Sequence, residues 1–142
     1  MTTDTTMEKQ YLLDTNICIY LFKNKYGIKE KLKEIGLSNC FISEITLAEL
    51  IYGAECSADP KKHTKEIKDL LSIIQVLPIR PILNDFGHTK KELRLKGMMI
   101  DNFDLLIGAT ALSHKMIMVT ENVKHLAHIK GLKIENWIQK NI

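Results

Sequence analysis

Short apolar runs alternate with longer amphipathic stretches along nearly the whole chain, and this alternation limits the fold more than any other feature. Tyr11–Leu13 and residues 40–42, 76–79, 116–119 and 133–136 read as strands. Between them, residues 17–23, 27–35, Glu44–Cys56, 61–74, 82–96 and 103–113 carry helical patterns, and 121–128 read as a short helix or loop. Strand–helix alternation builds βαβ units, so the chain is expected to be α/β, with a mostly parallel sheet of four to five strands and helices on both faces. Pro78 lacks an N–H and confines its strand to an edge or a strand end. Asp14 and Ser43 each follow or close an apolar run with cap chemistry for the next helix.

A length of 142 residues is enough for one core. No Pro/Gly/Ser linker or repeat divides it, so one domain is expected over 10–142, after a polar arm at 1–9. Three cysteines without CxxC or zinc spacing, all beside apolar residues, predict buried reduced thiols. No apolar run approaches the ~20 residues of a membrane span, and the start, MTTDTTMEKQ, lacks a secretory pattern. The expectation is a cytoplasmic protein with no membrane partner.

Three carboxylates stand where carboxylates are costly. Asp14 directly follows the strand YLL, Glu49 is the only charge in ITLAELIYGA, and Asp104 is the only charge in FDLLIGATAL. An ionised acid near an apolar core costs several kcal/mol unless it is paired or metal-bound. Each has a plain structural account. Asp14 suits a helix cap, Asp104 suits the positive end of its helix, and Glu49 suits a polar stripe with Thr46 and Gly53. A metal site accounts for all three together. Without local counter-charge the acids repel, and an all-oxygen set selects a hard ion such as Mg²⁺ or Mn²⁺. Such clusters serve phosphoryl chemistry.

The residues also carry a resemblance. YLLDTNICIYLF, ISEITLAELIYGAE, IDNFDLLIGATAL and VTENVKHL, in that order, resemble the four signature blocks of PIN-domain ribonucleases, and most closely the VapC-type toxins of bacterial toxin–antitoxin pairs. GLKIENW resembles the family's C-terminal strand. The resemblance implies a three-layer α/β/α fold and assigns Asp14, Glu49 and Asp104 to the family's acidic metal site. Many members carry Asp at the position of Asn122, and toxins of this branch often carry Asn there. Asp101 and Glu121 are nearby acids, Asp101 being a further metal-ligand candidate. Thr120 and Asn122 are then expected to orient the scissile phosphate or a water. The implied activity is Mg²⁺- or Mn²⁺-dependent endonucleolytic cleavage of structured RNA, tRNA or rRNA, with Asp14 or Asp104 assisting deprotonation. Implied partners are a second copy, as a homodimer, and a cognate VapB-type antitoxin that neutralises the toxin.

A net charge of +3 is mild for an RNA partner, but the balance becomes distinctly basic once Asp14, Glu49, Asp101 and Asp104 are set aside as metal-facing. Lys90, Lys91 and Arg94 cluster on one helix and are candidate phosphate contacts, as is Asn16 beside Asp14. The equally plain alternative for the basic cluster is a solvated face. His125 and His128 read as a solvated pair, and Tyr20, Phe22, Tyr52 and Phe103 as core or dimer contacts. Two rival functions remain at this level: a receiver-like signalling module, which also ends its first strand with an acid, and an inactive PIN domain kept for binding. The third strand candidate ends in Pro78-Ile79-Arg80, without the acid a receiver pattern has there.

Overall fold

The computed structural model describes residues 8–139. Of the expected arm, residues 1–7 lie outside them, and Glu8 and Lys9 are exposed ahead of the first strand. Five strands form one parallel sheet: β1 (Tyr11–Leu13), β2 (Cys40–Ser43), β3 (Gln75–Leu77), β4 (Ile117–Val119) and β5 (Lys133–Glu135), in the order β3-β2-β1-β4-β5. The helices are α1 (Thr15–Phe22), α2 (Ile28–Ile35), α3 (Glu44–Cys56), α4 (Pro60–Leu71), α5 (Leu83–Leu95), α6 (Asn102–Ser113) and α7 (Val123–Leu126).

Side chains alternate across each strand, which divides the core in two. Tyr11, Leu13, Cys40, Ile42, Ile117 and Val119 pack with Ile17, Leu32, Leu50 and Leu70 of α1 to α4. Leu12, Phe41 and Met118 face the other way, onto Leu93 of α5, Leu105 and Ile107 of α6 and Leu126 of α7. Helices thus cover both faces, which is why the central strands read as unbroken apolar runs rather than alternating ones. The expected three-layer α/β/α architecture is the one present.

Departures from the expected boundaries have local causes. α1 begins at Thr15, two residues early, because Asp14 caps it through the Thr15 N–H. α4 starts at Pro60, whose fixed φ suits a first helical position after the Asp59 cap. The expected helix at 82–96 opens instead with a 3₁₀ turn, Arg80–Ile82, and the segment 121–128 keeps only the four residues of α7. β3 ends just before Pro78, at the sheet edge. The expectation of three buried thiols holds for Cys18 and Cys40 only. Cys56 is the last residue of α3, past the core, and is exposed. Tyr52 and Phe103, at 70% and 47% exposure, are not core residues either. Among the described residues no helix is long and apolar enough to cross a membrane.

Candidate active site

The chain order of the sheet fixes where a site belongs. From β1 the chain winds outward through β2 and β3, then returns to the other side of β1 as β4 and β5. The crevice beyond the carboxyl ends of β1 and β4 is therefore the topological switch point, where open α/β sheets bind ligands. Asp14 follows β1 and Thr120 follows β4, so both stand at that crevice.

They are bonded to each other. The Thr120 hydroxyl donates to Asp14 Oδ2 at 2.7 Å, and the Thr15 N–H donates to Oδ1 at 2.8 Å. The Asp14 N–H donates to the Val119 carbonyl at 2.9 Å, extending the ladder one residue past β1. Asp14 is only 3% exposed, and this burial raises its pKa against the opposing pull of the Thr120 and Thr15 bonds. The cap reading of Asp14 therefore holds, and the same carboxylate stands at the crevice.

Thr15 ties the second acid in. Its hydroxyl donates to Glu49 Oε1 at 2.6 Å and lies 3.2 Å from the Thr46 hydroxyl. On α3, Thr46 and Glu49 therefore face α1, Thr46 fully buried and Glu49 half-buried, while Gly53 of the same stripe is exposed. Asp104, in the first turn of α6, accepts from the Asn122 amide nitrogen at 3.2 Å. Its pKa is pushed up to about 6, first by burial and then by the negative charges of Asp14, Asp101 and Glu49, with the Asn122 bond acting the other way. That three acids act on the fourth places all four in one electrostatic neighbourhood.

Close packing sets the Asp104–Asn122 approach. Gly108 lies one turn after Asp104 on the same face of α6. A Cβ at Gly108 would stand 2.8 Å from Ile129 Cδ1 and 3.4 Å from Leu126 Cδ2, so α6 reaches the α7 segment only because the side chain is missing.

Several expected roles change. Asp101 is exposed and caps α6, its Oδ2 accepting from the Phe103 and Asp104 N–H groups at 3.1 and 3.5 Å. Thr120 is fully buried, its hydroxyl donating to Asp14 Oδ2 and its oxygen accepting from the Asn122 N–H at 2.9 Å, so it links these two residues. Glu121 accepts from the Tyr20 hydroxyl at 2.8 Å. Lys90 donates to Asn102 Oδ1 at 2.9 Å, which brings its charge beside the start of α6. Lys91 and Arg94 are exposed on α5, and no contact among the described residues ties them to the acids. Thr15 and His125, whose Nδ1 lies 2.8 Å from Asn122 Oδ1, also belong to the network, although the sequence offers His125 only as half of a solvated pair and gives Thr15 no site role. Thr120→Val is expected to cost about 1–3 kcal/mol in urea unfolding, because it leaves the Asn122 N–H and Asp14 Oδ2 without their buried partner.

Fit to a hard cation can be judged from the donors. Among the described residues no three His, Cys, Asp or Glu side chains enclose an ion by themselves. Mg²⁺ does not require that, since it is commonly held by one or two carboxylates plus waters and a substrate phosphate. Asn16 Oδ1 is buried without a hydrogen-bond partner two residues from Asp14, an acceptor that calls for something the chain does not supply. Acids crowded without counter-charge and an orphaned oxygen suit a hard divalent ion.

Comparison with known proteins agrees with the architecture. A PIN domain family model matches residues 11–132. Ribonuclease VapC2 of Haemophilus influenzae is 37% identical over 131 residues, covering 91% of this chain and 98% of the relative. The tRNA(fMet)-specific endonuclease VapC of Shigella flexneri is 35% identical over 129 residues, covering 90% and 98%. The crystal structure of VapBC2 from Rickettsia felis bound to a promoter DNA fragment superposes with a TM-score of 0.84 at 33% identity, covering 89% and 98%. The chain belongs to the PIN domain family. Within that family its relatives are VapC ribonucleases, the branch that its four sequence blocks resemble.

Proposed function

We propose that this chain is an endoribonuclease toxin that hydrolyses phosphodiester bonds in structured RNA, tRNA or rRNA, with the help of Mg²⁺ or Mn²⁺. One observation carries the reading: Asp14, Glu49 and Asp104, far apart in sequence, share the crevice at the sheet's switch point, fixed by Thr15, Thr120 and Asn122. Asp14, Glu49 and Asp104 would hold the ion, with Asp101 at most at the rim. A divalent cation bound there supplies charge stabilisation to a phosphodiester undergoing in-line displacement and makes water a better nucleophile.

The chain's own groups do the rest. Asp14 is rigid, with both oxygens bonded, and serves as a fixed anionic anchor. Asp104 is more open than Asp14, which suits it to take the proton from the attacking water. Lys90, with Lys91 and Arg94 on the same helix, offers positive charge to RNA phosphates. The solved VapBC complexes, and the toxin–antitoxin complex from Klebsiella pneumoniae that is also similar, support a toxin neutralised by a VapB-type antitoxin. Exposed Leu95, Met99 and Phe103 supply apolar surface for a second copy, in keeping with a homodimer.

The test is cleavage of total tRNA by wild type and by Asp14→Asn. Wild type is expected to cut, with a loss of roughly 100-fold or more in the variant. Equal cleavage by both would remove the acid cluster from the mechanism. Growth on expressing the chain alone, against expression with its antitoxin, tests neutralisation, and equal growth contradicts it.

A further inference from the structure

We propose that His125 is a positioning residue of the active site, which fixes the amide of Asn122 and through it the Asp104 carboxylate. This deepens the reading above and rests on Asp104 being one of the site's acids. An ionised carboxylate only accepts, so the Asn122 group facing Asp104 Oδ2 at 3.2 Å must be the amide nitrogen. Asn122 Oδ1 then faces His125, and the Nδ1 at 2.8 Å must carry a proton to donate to it. The tautomer of His125 is thereby set by a carboxylate two bonds away, and Nε2 keeps its lone pair when the ring is neutral.

The backbone supports the same role. Asn122 occupies the N-cap position of α7, yet its side chain does not cap that helix. Its oxygen is held by His125, three residues on and within reach across the same helix face, while its own N–H donates to Thr120 Oγ1 at 2.9 Å. Asn122 is thus fastened at its backbone, its amide nitrogen and its amide oxygen. The hydrogen bonds run from His125 through Asn122 to Asp104, and from Asn122 through Thr120 to Asp14. A side chain at the surface, exposed like any solvated histidine, reaches Asp104 through Asn122 alone and Asp14 through Asn122 and Thr120.

The deciding measurement is a long-range ¹H–¹⁵N correlation spectrum of the wild-type chain without metal at about pH 8, above the ordinary imidazole range. A proton on His125 Nδ1 is expected, and its loss in Asn122→Ala. A wild-type ring without that proton overturns the proposal. In cleavage assays His125→Ala is expected to lower kcat roughly 10–100-fold with little change in KM. His125→Asn, whose amide nitrogen replaces Nδ1, is expected to recover most of the loss. Wild-type kcat in His125→Ala, or no recovery in His125→Asn, contradicts the donor role. Should Asp104→Asn cut RNA normally, the active-site reading fails, while the Nδ1 proton is measured independently of any activity.

Discussion

Asp104→Asn is expected to abolish RNA cleavage and at the same time to raise the melting temperature of the metal-free chain. The two effects have one cause. In the folded chain the Asp104 carboxyl is pushed from the ordinary 3.8 up to about 6, by burial and then by its acidic neighbours. As pH rises above the ordinary value the unfolded chain releases this proton, while the folded chain keeps it until about 6. The fold therefore loses stability across that window, and above it the full burden of an ionised, crowded acid remains. Asparagine removes the charge and retains an oxygen for the Asn122 amide. Because solvent screens part of the effect, a gain of about 1 kcal/mol is reasonable, or roughly 2–4 °C for a chain of this size. Cleavage should fall roughly 100-fold or more. A variant that is both less stable and fully active would break the link between acid crowding and function.

Withdrawal of divalent ions should have an equally large effect. Cleavage is expected to drop to background in EDTA and to return on adding Mg²⁺ or Mn²⁺. The same ions should stabilise the fold, because they bind the native state alone: about 2.7 kcal/mol at a hundredfold excess over Kd. Asp14, whose pKa burial also raises, and Asp104 then change sign as contributors, from a burden at neutral pH to ligands that need to be ionised. Thermal melts at about pH 5 and 7.5, with and without Mg²⁺, check this. Stability should fall with rising pH in the metal-free chain and rise with it in the loaded one. Cleavage that survives EDTA contradicts the account.

The fold was legible because its signal is local. Leu12, Met118 and their neighbours lie in runs that only a sheet covered on both faces makes apolar throughout. Helix ends were less legible, since α1 begins where Asp14 happens to cap it and not where apolar periodicity starts. The three acids were legible for the opposite reason, as lone charges in segments that should have none. What ties them together was not. The bond from Thr120 to Asp14 spans 106 positions, and that from Thr15 to Glu49 spans 34, so no window of sequence contains both partners. Asp101 was read as a ligand candidate, though its spacing before Phe103 and Asp104 is that of an N-cap, and capping is its role in the fold. The three-residue separation of Asn122 and His125 was a visible signal of a helix-start pair, overshadowed by the pairing of His125 with His128.

Asp14, Glu49 and Asp104 are expected to form a single cation site. Titration of the purified chain with Mn²⁺, followed by the loss of the free ion's paramagnetic resonance signal, measures this without any RNA. Wild type should take up Mn²⁺ competitively with Mg²⁺, and Asp14→Asn, Glu49→Gln and Asp104→Asn should each weaken binding roughly 10-fold or more. Binding left unchanged in all three variants would contradict the account.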